Sequence, residues 1–95
     1  MKREIFESYA SLVADRFGIT REEMFTKDKS RRLSDARHVL YYLCHKRQIT
    51  SSYIKHYMGV NGYNIDLPSI GHGLKRVETH ISNDPDYTTL INQLK

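Results

Sequence analysis

Apolar residues recur every three to four positions along most of this 95-residue chain, the period of a helix that buries one face. Ile5, Tyr9, Val13 and Phe17 form one such stripe, and Gly18 follows it as a residue that commonly ends helices. The alternation typical of strands is nearly absent. The pattern therefore predicts an all-α domain of five or six short helices.

Polar residues with capping character indicate where the next helices begin. Thr20 and Glu23 have the spacing of a capping box, in which each side chain accepts the other residue's backbone N–H, so a short second helix is predicted there. A polar, basic loop follows at residues 26–32. Ser34 is then predicted to cap a third helix, and one of residues 50–52 to cap a shorter fourth helix.

The clearest amphipathic segment comes after the Asn61-Gly62 turn. Asp66 is predicted to cap a helix that runs to about residue 80. Its inner face is predicted to carry Ile70, Leu74, Val77 and Ile81. The break at residues 83–85 separates it from a final helix over residues 86–94.

The opposite face of this helix is polar and holds a glycine. It is predicted to present Ser69, His72, Gly73, Arg76 and His80. Each glycine inside a helix costs roughly 1 kcal/mol relative to alanine, so a functional reason is expected. We predict that Gly73 faces outward and lets a partner approach closely, and that Gly71, nearer the flank, serves packing or turn geometry.

Positive charge is concentrated in one segment. The net charge of +4 comes from residues 27–47, where seven Lys and Arg stand against two Asp and Glu, while the flanking segments are close to neutral. A charged run is most often a solvated face. A basic loop that leads into a helix is also typical of surfaces that bind phosphate.

Size and composition indicate one small soluble domain over residues 1–95. No signal peptide and no apolar run of membrane-spanning length is present in these residues. Cys44 is the only cysteine, so no intrachain disulfide can form, and a reducing, cytoplasmic setting is expected.

The motifs of catalysis and metal binding are missing from the sequence. The five histidines and single cysteine never take a metal-ligand spacing, and His38 and His45 are two turns apart. Asp66, Ser69 and His72 are better explained as the start of one helix than as a catalytic triad. No glycine-rich phosphate loop is found. We therefore expect no enzyme activity, no cofactor and no metal.

The remaining candidate is nucleic-acid binding. The helix near residues 51–58, the turn and the helix from Asp66 have the order of a helix-turn-helix, whose second helix enters the major groove of double-stranded DNA. Periodicity alone leaves an ordinary surface helix equally open.

The order of motifs resembles the C-terminal DNA-binding domain of the bacterial replication initiator DnaA. That family has a signature close to G-R-D-H-[ST]-T-V-L-H-A-x-[RK]-[RK]-I, and the corresponding run here is NIDLPSIGHGLKRV, residues 64–77. KSRRLSDARHVLYYL resembles its basic loop and following helix, with Arg37-His38 in place of an Arg-Gln pair. The resemblance extends over residues 8–94 and implies a fold of the DnaA domain IV and Trp-repressor type.

The resemblance also implies a set of DNA-binding residues. Lys29, Arg31 and Arg32 are expected to contact phosphates or the minor groove, and Arg37 a base edge or the backbone. The remaining expected contacts are His38 and His45 near phosphates, Ser69, His72 and Gly73 facing the groove, and Arg76 on the backbone.

Two departures from the family pattern motivate an alternative. Leu67-Pro68 replaces the signature's His-Ser/Thr pair, and the turn is longer by about four residues, VNGY. The chain could therefore keep the scaffold as a protein-interaction module that modulates a host replication or transcription protein, using Tyr41 or Tyr42, Tyr53 and Tyr63. The absence of an ATPase module in these residues suggests a phage or plasmid protein that competes with or imitates the host initiator.

Overall fold

Six helices form the described part of the chain, residues 1–28 and 30–95 of a computed structural model. In chain order they are α1 (Lys2–Phe17), α2 (Arg21–Met24), α3 (Arg31–Lys46), α4 (Ser51–Val60), α5 (Leu67–Asn83) and α6 (Pro85–Leu94). The prediction of a small all-α domain with a helix-turn-helix is confirmed.

Three predicted helix ends have the expected capping geometry. Gly18 ends α1 with a φ of 66°, a left-handed conformation that glycine adopts without strain. The capping box of α2 is complete, since Thr20 Oγ1 accepts from the Glu23 N–H at 3.0 Å and Glu23 Oε1 accepts from the Thr20 N–H at 2.8 Å. Asp66 caps α5, its Oδ1 accepting from the Ser69 N–H at 2.9 Å.

The start of α3 differs from the prediction. The helix begins at Arg31 with Ser30 as its N-cap residue, one turn before the predicted cap at Ser34. The Ser34 N–H donates to the Ser30 carbonyl at 3.0 Å, which is the i to i−4 bond of a helix already formed. Arg31 and Arg32 therefore lie in the first helical turn and not in the preceding loop.

Helix α3 is the centre of the fold. It packs against every other helix, with its largest contacts to α5 and α1. Its Ala36, Val39, Leu40 and Leu43 are buried in a core that also holds Phe6 and Val13 of α1, Ile54 and Met58 of α4, Ile70 and Val77 of α5, and Ile91 and Leu94 of α6. The position of α5 on the surface is thus determined by a buried seam with α3.

The helix-turn-helix consists of α4, residues 61–66 and α5. Gly62 has a φ of 94°, and the Tyr63 N–H returns to the Met58 carbonyl at 2.9 Å, which closes the turn. No helix in the described ranges has the length and apolar character needed to cross a membrane.

Candidate nucleic-acid interface

The outward face of α5 is polar and largely solvent-exposed. Ser69 and His72 are exposed, and Arg76 is half-buried on the side that faces α3. His80, further along, stacks on the Tyr87 ring with centroids 4.7 Å apart. The first two turns of α5 therefore offer a hydroxyl and an imidazole to a partner, with a guanidinium beside them.

The first two turns of α3 lie next to these residues. Arg31, Ser34 and His38 of α3 line a shallow cleft of about 300 Å³ together with His72 and Arg76 of α5. The carboxylate of Asp35 also borders it. Arg32 is exposed in the same turn as Arg31. Four of the predicted binding residues thus come together on one surface, contributed by two helices.

A second cleft, of about 540 Å³, continues this surface toward the turn before α5. It shares Ser34, His38 and His72 with the first cleft and adds Lys27, Tyr63, Asn64 and Ser69 among its lining residues. We call the two clefts with the exposed face of α5 the α3–α5 surface. It is large enough, and polar enough, to receive a nucleic-acid backbone beside a helix in the groove.

Burial shapes the charge of His38. Desolvation lowers the pKa of its imidazole below the ordinary 6.5, and the nearby Arg76, His72 and Arg37 act in the same direction. The carboxylate of Asp35 opposes them in part. His38 is therefore neutral at pH 7 and able both to donate and to accept a hydrogen bond.

Comparison with known protein families gives a match to the bacterial DnaA protein helix-turn-helix over residues 7–77, more than half of the chain. The chain belongs to the DnaA helix-turn-helix family. Comparisons with curated proteins and with solved structures gave no significant match. The family is one of DNA-binding domains, so DNA is the partner class of this fold and an enzymatic role has no support from it.

Arg37 does not take the DNA-facing position that the DnaA resemblance implied. Its side chain is only 2% exposed, because the guanidinium turns inward against the end of α2 and the loop after it. Nε donates to the Met24 carbonyl at 2.7 Å, and the terminal nitrogens donate to the carbonyls of Glu23, Thr26 and Asp28 at 3.3, 2.5 and 2.9 Å. Arg37 is a structural residue that holds the loop onto α3.

Gly73 is buried, which corrects the prediction that it faces outward. A Cβ at this position would lie 2.6 Å from His38 Cδ2 and 3.1 Å from Tyr41 Cδ2, so the glycine allows α3 and α5 to approach closely. Gly71 is the exposed glycine, and a Cβ there would meet nothing within 4 Å. Gly73 is therefore the packing glycine of α5, and Gly71 is the exposed one.

The DnaA signature gives a physical reading of Gly73. In the DnaA signature alanine corresponds to Gly73, and the family's Arg-Gln pair has glutamine where this chain has His38. This chain thus has the smaller residue, glycine, opposite the bulkier histidine ring. The prediction failed because it grouped Gly73 with its polar neighbours, although at about 100° per residue it lies only about 60° from Ile70 and about 40° from Val77, at the edge of the inner stripe.

One more predicted residue, His45, is not part of the α3–α5 surface. His45 is exposed in the last turn of α3, where it borders residues 46–50 and shares no cleft with the other histidines in the described part of the chain. Lys29 lies outside the described residues.

Three further residues belong to the surface although they were not predicted as site residues. Lys75 and Thr79 are exposed on α5, three and seven residues after His72. Lys75 corresponds to an [RK] position of the DnaA signature, and this match could have identified it as a site residue from the sequence. Lys27 joins the surface because its Nζ donates to the Asn64 carbonyl at 2.6 Å, a contact 37 residues apart in sequence that only the fold reveals.

The described residues contain no cluster of three side chains suited to a metal ion. Cys44 is buried in the core, and desolvation raises the pKa of its thiol to about 12, which keeps it protonated and unreactive.

Proposed function

We propose that the protein binds double-stranded DNA through the α3–α5 surface and acts in the control of replication or transcription. In this arrangement α5 lies in the major groove with Ser69, His72 and Lys75 toward the bases. Arg31, Arg32 and Arg76 contact the phosphate backbone. The setting of such a function is the bacterial cytoplasm, where the chromosome is accessible.

The observation that carries the proposal is a pair of exposed arginines in the first turn of α3, of which Arg31 lines a cleft together with His72 and Arg76 of α5. A helix N-terminus carries partial positive charge, and cations there cost about 0.3–1 kcal/mol each. The first turn of α3 has Arg31 and Arg32 and no acidic residue. A phosphate group would turn this unfavourable cluster into a binding site, since both the arginines and the free N–H groups favour an anion.

The test is a titration of duplex DNA of random sequence at several salt concentrations. If four to six phosphates are neutralised, log K against log[salt] should have a slope of about −3.5 to −5.5. Replacing Arg31 and Arg32 together by Ala should flatten the slope by roughly 2 units, because two phosphate contacts are lost. Arg3 and Arg16 on α1 supply the matched control, since both are exposed and α1 does not pack against α5 in the described structure. Their double Ala variant should keep the parent slope.

Loss of slope in both double variants would indicate a general charge effect and would contradict the proposed surface. Absence of duplex binding by the parent chain at low salt would favour the alternative, a protein-interaction module. That alternative now has less support, because Tyr41 and Tyr63 are buried, although Tyr53 remains 46% exposed and Leu67 43% exposed.

A further inference from the structure

The turn before α5 contributes a buried tyrosine to the α3–α5 surface. By the resemblance to the DnaA pattern the additional residues are 60–63, of which Val60 ends α4 and Tyr63 lies in the turn. Its side chain is buried, with 9% exposed, and it lines the larger cleft of the α3–α5 surface.

The ring of Tyr63 contacts two cations from another part of the chain. The Arg37 guanidinium lies 4.5 Å from the ring centroid and the Lys27 ammonium lies 4.6 Å from it. Cation–π contacts at these distances are favourable, and more so where water is excluded. Lys27 also reaches the carbonyl of Asn64, the residue after Tyr63.

These contacts join two segments that the sequence separates. Arg37 holds the carbonyls of the α2–α3 loop, and Lys27 belongs to that loop, so both cations fix the loop onto the turn that leads into α5. The loop leads directly into the arginine-bearing first turn of α3. The position of Tyr63 therefore couples the phosphate-binding end of α3 to the start of α5.

We propose that Tyr63 is a positioning residue for DNA recognition, which sets the distance and angle between the α2–α3 loop and the first turn of α5. The inference rests on the proposed function. In this chain the Tyr63 ring packs against the buried guanidinium of Arg37, which therefore does not make the DNA contact that the family resemblance implied. Specific binding requires base and phosphate contacts at the same time. Loosening the contacts of the Tyr63 ring with Arg37 and Lys27 should therefore reduce discrimination between DNA sequences more than it reduces general affinity.

The experiment compares Tyr63→Phe with Tyr63→Leu. The parent chain is first used to select its preferred duplex from a random pool, and each variant is then measured on that duplex and on a scrambled one. Tyr63→Phe keeps the ring and should preserve the ratio of the two affinities within about twofold. Tyr63→Leu removes the ring and should lower the ratio by about tenfold, the equivalent of 1.4 kcal/mol. Its salt slope on the scrambled duplex should stay unchanged, because no charge is lost.

A second readout needs no DNA. Hydrogen exchange at the Phe25 and Thr26 amides should be faster in Tyr63→Leu than in the parent and Tyr63→Phe, since the contacts of the Tyr63 ring with Lys27 and Arg37 hold this loop. If Tyr63→Leu does not fold, Lys27→Leu replaces it, because Lys27 is exposed and its loss spares the core. That variant should lower the ratio by about threefold with a slope change of no more than about one unit.

The outcomes separate this inference from the proposed function. A parent chain that selects no duplex overturns the proposed function and this inference with it. A parent that discriminates, together with a folded Tyr63→Leu that discriminates equally well, overturns the inference alone. Equal loss of discrimination in Tyr63→Phe and Tyr63→Leu also overturns it, because the hydroxyl and not the ring face would then be the active part.

Discussion

At the scale of single residues, the α3–α5 surface depends on two residues that do not face a partner. Arg37 satisfies four backbone carbonyls of residues 23–28, and Gly73 lets α5 approach the rings of His38 and Tyr41. Both were predicted as DNA contacts. Each is better explained by the cost of leaving buried polar groups unpaired or of overfilling a packed interface.

The two glycines of α5 should respond oppositely to alanine. Gly73→Ala should lower the free energy of unfolding by about 1 kcal/mol, because the clash with His38 and Tyr41 outweighs the gain in helix propensity. Gly71→Ala should raise it by about 0.5–1 kcal/mol, since its Cβ enters open space. Thermal or urea unfolding of the two variants measures both effects.

The clash can be tested by a double-mutant cycle. The cost of Gly73→Ala should shrink in a His38→Ala background, because the nearest obstructing atom is Cδ2 of that imidazole. An undiminished cost in that background, or stabilisation by both glycine substitutions, would show that the α3–α5 seam does not require Gly73.

His38 should make stability depend on pH. Its pKa is lower in the folded chain than the ordinary 6.5, so near and below that value the unfolded chain binds more protons. This contribution to stability is complete above pH 6.5 and is lost as the pH falls toward the folded pKa. His38→Gln should therefore lose less stability than the parent between pH 7.5 and pH 5, measured by urea unfolding. Superimposable pH profiles would argue that His38 titrates normally.

At the scale of helices, the starts of α3 and α5 form the proposed recognition surface. Arg31 and Arg32 bring cations to the first turn of α3, and Asp66 caps α5 so that Leu67 and Pro68 occupy its first turn. The side chains of Leu67 and Pro68 are exposed, and neither carries a hydrogen-bond donor or acceptor. The start of α5 therefore differs chemically from the His-Ser/Thr pair of the DnaA signature, although the helix is retained.

The DnaA resemblance implies that the His-Ser/Thr pair helps to read the family's DNA site, the DnaA box. The difference at Leu67 and Pro68 therefore predicts a weak preference for this box. Competition between a box-containing duplex and a scrambled duplex should give a preference below about a hundredfold, or roughly 3 kcal/mol, because two side-chain hydrogen bonds are missing. The double substitution Leu67→His with Pro68→Thr restores the family pair and should increase the preference. A parent preference well above a hundredfold would mean that other residues read the box.

At the scale of the whole molecule, the domain extends beyond the family match. The match ends at residue 77, yet α5 continues to Asn83 and α6 packs against α1, α3 and α5. Ile91 and Leu94 of α6 are buried in the same core as Phe6 and Leu40. We therefore expect residues 1–95 to behave as one cooperative unit.

Calorimetry should give a single transition with equal calorimetric and van't Hoff enthalpies. Ile91→Ala should lower the free energy of unfolding by about 2–4 kcal/mol and shift the whole transition, because a buried side chain is removed from the shared core. Thr89→Ala, at an exposed position on the same helix, is the control and should change it by less than about 0.5 kcal/mol. A separate low-temperature transition in Ile91→Ala would place α6 outside the cooperative unit.

Local patterns along the chain determined most of the helices and their ends. The apolar stripe of α1, the Gly18 terminus, the capping box at Thr20 and the Asp66 cap depend on residues within one or two turns of each other, so sequence spacing is enough to predict them. The start of α3 was predicted one turn too late, at Ser34, whereas the helix begins after Ser30, whose side chain makes no capping hydrogen bond. Ser69, His72 and Arg76 were predicted together because helical period places them on one side of α5.

The tertiary structure alone decided which cations are available to a partner. Arg31 and Arg37 are both arginines of the same basic segment, but one is exposed and the other is held by carbonyls that fold back over it. Helical period already places Gly73 at the edge of the inner stripe of α5, and the tertiary structure adds how closely the rings of α3 approach it. The contact of Lys27 with Asn64 likewise joins residues that no local rule connects. Burial is a property of neighbours in space, so the sequence determines the helices and their polarity, and the packing of α3 on α5 decides which of their side chains remain free to bind.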